Sequence, residues 1–360
     1  MKILHVSFFS KESPASGGKI CTIRNLEALY NLYGVQNVIS YCVERNQNGS
    51  KSIVWKIKQF MSDIAKRQMN GLSDFHINKI LEIIKKENVE IVFLDSSLLG
   101  QIGKKIKEYN HSVKIITFFH NVEYDFCTQL WEREKNLRNI YRPWVAKYNE
   151  KMACSTSDVF IALNKRDARR LYDLYHVNID MLIPISIGDR FKTYTPHKVT
   201  KPINLLFIGS YFYANIEAVN YIKNKVLPYV EARLMVVGSG MDKLKNVGNK
   251  IEIYADVDDL TPYFQKADAM ILPIFSGSGM KIKTCESMMH GKIIFGTNEA
   301  FEGYITSPTF AIKCNNDKEF IDSINAFQSN SNFSEDSRNN YLLHYSNECA
   351  FNLFKKILLS

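Results

Sequence analysis

Two lysines follow a loop of small residues in the stretch SGSGMKIKTCESMMHGK, residues 276–292. An apolar, strand-like run lies on either side, so we expect this stretch to be a loop that opens a helix near Met280. The backbone N–H groups of residues 278–282 would then have no intrahelical partner and would form an anion site at the positive end of the helix dipole. Lys281 and Lys283 would add positive charge beside it. This combination indicates phosphate binding.

Glu286 lies three residues after Lys283, on the neighbouring face of the predicted helix. A diphosphate held by the N–H groups and the lysines would leave this carboxylate within reach of a ribose diol, for which a carboxylate is the usual acceptor. The sequence therefore predicts a site for a nucleoside diphosphate. The alternative is an ordinary strand–loop–helix in which Lys283 and Glu286 form a surface ion pair.

Two other loops are candidate parts of the site. Gly17 and Gly18 follow the first apolar run and precede a helix that we expect to begin near Lys19, so they form either a ligand-binding loop or a plain turn. His120 and Asn121 follow the apolar run KIITFF. A histidine among apolar residues is usually a core residue, but ligand crevices occur at the ends of parallel strands, which favours a functional role.

The elements that must position these residues alternate along the chain. The strand-like runs are continuously apolar, which indicates strands buried on both faces of a parallel sheet. The predicted strands are residues 2–9, 37–43, 89–95, 113–119, 158–163, 203–209, 232–238, 250–255, 269–274 and 292–297. The predicted helices are residues 19–33, 52–67, 75–87, 97–109, 130–153, 165–175, 214–226, 257–266, 280–290 and 341–358. The fold class is therefore α/β, with two doubly wound Rossmann-like domains in tandem.

The segment KTYTPHKVTKP, residues 192–202, interrupts this alternation with two prolines and a cluster of basic residues. We interpret it as the linker between the two domains. Two facing domains of this type hold their ligands at the carboxyl ends of their strands, hence along the cleft between them.

Composition indicates a globular chain without a membrane-spanning segment. Of the 360 residues, 46% are hydrophobic and 23% are charged, and no apolar run approaches the roughly 18 residues that a spanning helix needs. The N-terminal MKILHVSFF does not have the pattern of a signal peptide. The seven scattered cysteines lack CxxC spacing, so we expect reduced thiols in a cytoplasmic protein and no zinc site.

The net charge of +9 lies almost entirely in the first half of the chain. Residues 1–185 contain 27 Lys and Arg against 19 Asp and Glu, whereas residues 186–360 contain 19 against 18. Either an AT-rich codon bias toward lysine or an anionic surface or substrate beside the first half accounts for this excess. The basic amphipathic stretch 55–68 could lie on a membrane or pack on its own domain. No nucleic-acid-binding signature accompanies the sequence pI of about 9.0.

The stretch SGSGMKIKTCESMMHGKIIFGTNEAFEG resembles the donor-binding signature of retaining glycosyltransferases with the two-domain GT-B architecture, in particular the large family GT4. LLFIGSYFYANIEAVNYI, LMVVGSG and IEIYADVDDLTPYFQKADAMILP follow the order of elements in that family. The N-terminal half matches more loosely, through SFFSKESPASGGKICTIRNLEAL, TFFHNVEYD and DVFIALN. The resemblance covers nearly the whole chain and is strong over residues 203–303.

The resemblance implies an acceptor-binding Rossmann-like domain at residues 1–190 and a nucleotide-sugar-binding one at residues 191–340, facing across a cleft. It implies that residues 341–360 form a helix that crosses back to the first domain. The implied reaction is hexosyl transfer with retention, from a UDP- or GDP-linked sugar to a glycan, lipid-linked or protein acceptor, in cell-surface polysaccharide or glycoconjugate synthesis. No metal or other cofactor is expected, and the expected location is the cytoplasm, with peripheral binding to the anionic inner face of the plasma membrane.

By the same resemblance, Glu286 holds the donor ribose, Lys283 and Lys281 bind the pyrophosphate, and Val257 lines the nucleobase slot. The full set of expected donor-binding residues is Gly17, Gly18, Gly209, Ser210, Val257, Ser278, Gly279, Met280, Lys281, Ile282, Lys283 and Glu286.

His120 is expected beside the anomeric carbon and, with Asn121, contacts the donor sugar or the acceptor. In the front-face mechanism favoured for retaining enzymes, the leaving β-phosphate oxygen takes the acceptor proton, and the enzyme stabilises charge on the departing diphosphate. The expected catalytic residues are His120, Lys283 and Glu286. The lysines and the helix N-terminus would do this without a metal, and we interpret the DVD stretch at residues 256–258 as the acidic first turn of a helix.

Ser278 stands where the family often has a second glutamate, eight residues before the ribose-binding one. This difference leaves open an alternative of another class, a catalytically weak partner subunit that binds glycan or another transferase. Sugar-nucleotide epimerisation on the same fold would need paired catalytic acids, which the sequence does not indicate.

Overall fold

The computed structural model describes residues 1–10, 12–13, 16–44, 53–245 and 247–359, without the side chains of residues 53–57 and 137–138. The chain forms two compact units. Unit 1 consists of Met1–Pro184 together with Ala350–Ser360, and unit 2 consists of Ile185–Cys349.

Unit 1 is built on a six-stranded sheet in which all neighbouring strands are parallel, in the order β2-β1-β3-β4-β5-β6. Its central strands are buried almost throughout, which confirms the interpretation of the continuous apolar runs. The short edge strand β6 was not expected from the sequence. The strands are β1 (Ile3–Ser7), β2 (Val38–Cys42), β3 (Ile91–Leu94), β4 (Lys114–Phe119), β5 (Val159–Ala162) and β6 (Met181–Leu182).

The helices of unit 1 follow the predicted positions with one exception. The single helix expected at 130–153 is three helices, and Pro143 lies in the first turn of the last of them, where its missing N–H is not needed. The helices are α1 (Gly17–Tyr33), α2 (Ile53–Lys66), α3 (Asp74–Glu87), α4 (Gly100–Tyr109), α5 (Glu123–Arg133), α6 (Leu137–Ile140), α7 (Arg142–Thr156) and α8 (Lys165–Tyr175), with 3-10 turns at Val35–Asn37 and Ser97–Leu99.

Unit 2 contains a second parallel sheet of six strands, in the order β12-β11-β10-β7-β8-β9. The two sheets confirm the predicted α/β fold with two doubly wound domains. Strand β12 was missed, because three residues are too few to show a hydrophobic period. The strands are β7 (Ile203–Ile208), β8 (Ala232–Gly238), β9 (Ile251–Ala255), β10 (Ala269–Leu272), β11 (Ile294–Gly296) and β12 (Ala311–Lys313).

The helices of unit 2 are α9 (Tyr213–Tyr221), α10 (Thr261–Lys266), α11 (Ile282–Met289), α12 (Asp317–Ala326) and α13 (Glu335–His344). Two of them, α10 and α11, begin later than expected, and the first residues of both lie near the candidate site described below. Helix α9 continues into a π-helical turn, Ile222–Val226, and a 3-10 turn, Leu227–Tyr229; a further 3-10 turn is Met241–Lys243.

The last helix, α14 (Asn347–Leu358), is separate from α13. The continuous helix expected at 341–358 is therefore wrong, because the chain leaves the helical conformation between His344 and Asn347. Within unit 1, Phe354 of α14 lies 6.2 Å from the ring centroid of Phe93 and 6.3 Å from that of Phe118. The end of α14 is thus part of the core of unit 1.

Candidate active site

The sheet of unit 2 has a topological switch point between β7 and β10. These strands are neighbours, but the chain proceeds from β7 toward β8 and β9 on one side and from β10 toward β11 and β12 on the other. The carboxyl ends of two such strands frame the crevice in which doubly wound sheets bind ligands. The loop after β7 carries Gly209 and Ser210, and residues 273–281 follow β10. The residues predicted to bind the donor phosphates therefore meet at this crevice.

Helix α11 begins at Ile282, with Lys281 as its extended N-cap. The predicted start near Met280 is two residues too early, because an irregular loop continues up to the N-cap. In this loop Gly277 and Gly279 adopt φ angles of 134° and 60°, which glycine accepts far more readily than other residues. The N-terminus of α11 still lies close after the carboxyl end of β10, so the expected anion site shifts along the chain by two residues.

Lys283 links the two sides of the switch point. Its Nζ donates to Oδ1 of Asn215 over 2.6 Å and lies 4.3 Å from the centroid of the Phe207 ring. Burial lowers the pKa of Lys283 to about 7 against the opposing effect of Glu286. An ammonium group in such surroundings is stabilised by a bound anion, which makes Lys283 a strong candidate for phosphate binding.

Glu286 is almost fully buried on the same helix, with 7% of the residue exposed. Its Oε1 lies 3.6 Å from Nη2 of Arg190. Burial raises the pKa of Glu286 to about 7, whereas Arg190 and Lys283 act to lower it. Within the described part of the chain, Lys283 and Glu286 do not form an ion pair with each other. The structure therefore differs from the alternative interpretation, in which these two residues form a surface ion pair.

Lys281 is directed back onto its own loop. Its Nζ lies 2.7 Å from Oε1 of Glu299 and donates to the carbonyl oxygens of Ser278 and Gly279. Of the two lysines expected to bind pyrophosphate, Lys281 thus holds the loop together in this structure. Sequence reasoning missed Glu299, although it belongs to the quoted stretch NEAFEG and follows strand β11.

Asn215 connects the loop after β7 to Lys283. Its Nδ2 donates to the carbonyl oxygen of Ser210 over 2.9 Å, while its Oδ1 accepts the bond from Lys283. A Cβ atom on Gly209 would lie 2.6 Å from the Asn215 side chain, and one on Gly238 would lie 2.0 Å from the carbonyl oxygen of Gly209. Both glycines therefore allow close approach of the loops at the switch point.

Val257 lies half-buried in the loop between β9 and α10. The interpretation of its DVD stretch as a first helical turn is wrong, because α10 begins only at Thr261. Asp256 instead adopts a left-handed φ of 51°, and its Oδ1 accepts hydrogen bonds from the Ser239 hydroxyl at 2.7 Å and the Gly240 N–H at 3.2 Å. This carboxylate ties the loop after β9 to the loop after β8.

In unit 1, Gly17 and Gly18 are the first two residues of α1 and do not form a loop before it. The expected helix start near Lys19 is therefore two residues too late. Ser16 is the N-cap, and its hydroxyl accepts the N–H of Lys19 over 3.2 Å. A Cβ atom on Gly18 would lie 2.7 Å from the ring of Phe9, so this position favours glycine.

His120 follows β4 and binds a buried carboxylate. Its Nε2 lies 2.9 Å from Oδ1 and 3.1 Å from the backbone oxygen of Asp95, which follows β3. The Nε2 of His5, in β1, lies 3.0 Å from Oδ2 of the same carboxylate, and Nδ2 of Asn25, in α1, donates to Oδ1 over 2.7 Å. The sequence indicated His120 but not its partner Asp95, nor His5 and Asn25, which bind the same carboxylate.

Asn121 lies in the loop that joins β4 to α5, where its Nδ2 donates to Oε1 of Glu123 over 3.3 Å. Glu150 of α7 accepts the N–H groups of Glu123 and Tyr124 at 2.7 and 3.1 Å, so it caps the start of α5. Burial raises the pKa of Glu150 to about 8, although its hydrogen bonds act to lower it. The buried Glu150 beside the half-buried Glu123 was not expected, and its capping role explains its position.

Metal ligands and membrane-spanning helices are absent from the described residues. Among them, no three His, Cys, Asp or Glu side chains are grouped so that they could hold a metal ion. No helix in the same ranges is both long enough and apolar enough to cross a bilayer. The seven cysteines all lie in the described ranges and are reduced.

Residues 202–330, which form most of unit 2, match the protein family described as "Glycosyl transferases group 1". A Klebsiella pneumoniae protein named "Uncharacterized 44.6 kDa protein in cps region" is 21% identical over 340 residues, which are 84% of each chain. These matches are consistent with the donor-binding signature quoted above.

Solved structures share the fold over the full length of the chain. The apo form of the lipopolysaccharide outer core galactosyltransferase WaaB has a TM-score of 0.69 and 12% identity, with 100% of this chain and 99% of that chain covered. Anabaena Alr3699/HepE in complex with UDP and glucose has a TM-score of 0.65 and 10% identity, with both chains fully covered. A Rickettsia africae glycosyltransferase has a TM-score of 0.63 and 16% identity, with 99% and 98% covered. The fold is therefore that of GT-B glycosyltransferases, and together with the family match it supports a glycosyltransferase.

Proposed function

We propose that this chain is a retaining glycosyltransferase of the GT4 type, which moves a hexosyl group from a UDP- or GDP-linked sugar to a glycan, lipid-linked or protein acceptor. The observation that carries the proposal is the placement of the half-buried Lys283 and the buried Glu286 at the start of α11, beside the switch point of unit 2. The relative from a cps region supports a role in cell-surface polysaccharide or glycoconjugate synthesis.

The chemistry of the pair suits a nucleoside diphosphate. A diphosphate restores the full positive charge of Lys283 that burial disfavours, and the N–H groups at the start of α11 point toward the same anion. A ribose diol donates hydrogen bonds to Glu286 and thereby stabilises its carboxylate form. The diphosphate and the ribose diol thus each stabilise a charged side chain that burial disfavours in the unliganded protein.

In the proposed reaction, the bond between the anomeric carbon and the β-phosphate oxygen breaks while the acceptor oxygen bonds to the same carbon on the same face. The acceptor proton passes to the departing β-phosphate oxygen. Lys283 and the helix N-terminus stabilise the charge on this diphosphate, so the proposed mechanism is metal-independent and needs no other cofactor. His120 and Asn121 are proposed to contact the sugar or the acceptor.

A nucleotide-binding measurement tests the proposal directly. We expect UDP or GDP at one hundred times its dissociation constant to raise the free energy of unfolding by about 2.7 kcal/mol. Thermal unfolding with UDP, GDP and ADP separately checks this and identifies the base. If none of the three shifts the unfolding temperature at millimolar concentration, the assignment of α11 as a nucleotide site is wrong.

Turnover separates an enzyme from a partner subunit. A purified enzyme should hydrolyse or transfer sugar from the donor whose nucleotide binds, whereas a partner subunit would only bind it. The partner alternative is not favoured, because this chain holds Lys283 and Glu286 in surroundings that disfavour both charges, and nucleotide binding would explain that arrangement.

The proposed acceptor side includes an exposed surface of unit 1, which we name the α2–α7 surface, formed by Phe60, Met61, Arg67, Tyr141 and Trp144. The ring of Phe60 packs edge-on against Tyr141 at 5.2 Å, and the Arg67 guanidinium lies 4.9 Å from the Trp144 ring centroid. Met61 and Trp144 remain 59% and 48% exposed. Exposed apolar side chains beside cations suit the headgroup region of an anionic membrane, so we propose a cytoplasmic protein bound peripherally to the inner face of the plasma membrane.

Vesicle co-sedimentation tests this location. The expected contribution is about 1 kcal/mol for each lysine near the surface, so reversing Lys56 and Lys58 should weaken binding to anionic vesicles by about 30-fold or more. The side chain of Lys56, like that of Trp55, lies outside the described residues. Reversal of the exposed Lys85 and Lys86 on α3 removes the same charge elsewhere and serves as the control. Equal losses for both double variants, or no binding at low salt, would contradict a dedicated surface.

A further inference from the structure

One buried carboxylate in unit 1 organises three polar side chains from three different elements. Asp95 accepts from His5, Asn25 and His120, which come from β1, α1 and the end of β4. These contacts join residues 25 to 90 positions apart in the chain. A carboxylate so deeply buried is retained only when its partners compensate the cost of desolvation.

The position of the ring hydrogen on His120 follows from its contacts. Nε2 faces two oxygens of Asp95, the carboxylate Oδ1 and the backbone carbonyl, and both can only accept. Nε2 therefore carries a hydrogen and donates it to Asp95. Rotating the ring would break both contacts, so the orientation of His120 is fixed by this residue.

His120 is also the member of the cluster that reaches the surface. The side chains of Asp95 and His5 are completely buried, whereas 11% of the His120 side chain is exposed. Nε2 faces Asp95 and Nδ1 is buried, so the cluster reaches the surface through other atoms of the His120 side chain.

The groups that face His120 favour its charged form. Burial lowers the pKa of His120, but the charge and hydrogen bond of Asp95 override it and raise the pKa to about 10. The thiol of Cys21 on α1 lies near the ring, and the carboxyl of Glu123 on α5 interacts with its charge. His5 shares the Asp95 carboxylate from the side of β1.

We propose that Asp95 is a positioning residue for His120: it fixes the ring with Nε2–H directed inward and keeps it positively charged, so that His120 serves as a fixed cation and not as a proton acceptor. The consequence for glycosyl transfer rests on the proposed function. In a front-face reaction the acceptor proton leaves with the diphosphate, so a cation that stabilises developing negative charge is useful and a base is not required.

The titration of His120 tests the charge without any assay of activity. In the full chain, which has eight histidines, the imidazole signals of His120 are identified by their loss in His120→Gln. We expect the parent ring to stay doubly protonated from pH 6 to 8.5. In Asp95→Asn, a near-isosteric variant, the strongest opposition to burial is removed and Cys21 and Glu123 remain, so the ring should titrate near or below its ordinary value of about 6.5. A parent ring that titrates near neutrality overturns the proposal, and this result does not depend on the variant folding.

The pH dependence of transfer tests the consequence. The ratio of the Asp95→Asn rate to the parent rate should rise by about tenfold or more as the pH falls from 8 to 6, because acid returns the charge to His120. Taking the ratio cancels contributions from other titrating groups, which both proteins share. A merely structural loss would lower the ratio equally at every pH, and that result overturns the proposal.

Asp158→Asn is the matched control. Asp158 lies in the same unit before β5, and its carboxylate also binds a cationic side chain, that of Lys107, together with the N–H of Ile115. Its ratio should not vary with pH. If the parent chain transfers no sugar, the proposed function fails, while a charged His120 in the parent and a neutral one in Asp95→Asn still support the positioning role.

Discussion

Replacing Lys283 with methionine is expected to weaken UDP binding by about 10- to 150-fold. A charge-assisted hydrogen bond to phosphate contributes roughly 1.5–3 kcal/mol, which corresponds to that range. Methionine keeps an unbranched apolar stem beside Phe207, so the substitution removes the charge with little change in packing. Isothermal titration with UDP measures the loss.

The pH dependence of the parent provides a second signature of the same residue. Burial lowers the pKa of Lys283 to about 7, and a bound diphosphate raises it, so UDP binding takes up a proton and should weaken as the pH rises above about 7. Burial raises the pKa of Glu286 to about 7, and a bound diol lowers it, so binding should also weaken as the pH falls below about 7. Lys283→Met should abolish the alkaline decline, and Glu286→Gln the acid decline.

Lys318→Met removes the same charge from the exposed face of α12 and is the control for Lys283→Met. It should leave both the affinity and the pH profile unchanged. Parent-like UDP affinity of Lys283→Met would mean that Lys283 serves only as the hydrogen-bond partner of Asn215, and the nucleotide assignment would have to be withdrawn.

The fold was predictable because its signals are local. Each central strand is a continuous apolar run, and such runs report burial on both faces of a sheet without knowledge of its neighbours. The errors in the predicted fold concern the first residues of helices, which depend on the conformation of the preceding loop. Lys281 stays extended after Gly279, and α10 begins at Thr261 with Pro262 in its first turn, a proline signal that was present in the sequence.

The candidate site was only partly predictable because its contacts are not local. Lys283 and Glu286 lie on one helical turn and could be recognised from their spacing. Glu299 meets Lys281 through the loop after β11, and Asp95 meets His5 only because β1 and β3 are adjacent in the sheet. These pairs form because of the order of the strands in each sheet, and that order cannot be read from a single sequence.

Replacing His120 with alanine is expected to lower the transfer rate by about 100- to 1000-fold, the cost of removing one group that stabilises charge in a transition state. The dissociation constant for UDP should stay within about twofold of the parent value, because Lys283 and Glu286, the proposed nucleotide ligands, belong to unit 2 whereas His120 belongs to unit 1. Single-turnover transfer and UDP titration on the same preparation separate the two effects. His111→Ala, at an exposed position of unit 1, is the control.

A double variant that combines His120→Ala with Asp95→Asn tests whether Asp95 acts through His120. If Asp95 acts through His120, the second substitution should cost little once the ring is gone, so the double variant should transfer about as slowly as His120→Ala alone. Independent roles would instead give losses that multiply. Loss of UDP affinity in step with transfer would place His120 among the nucleotide ligands, and unchanged transfer would make it a core residue that owes its charge to Asp95 and has no part in the reaction.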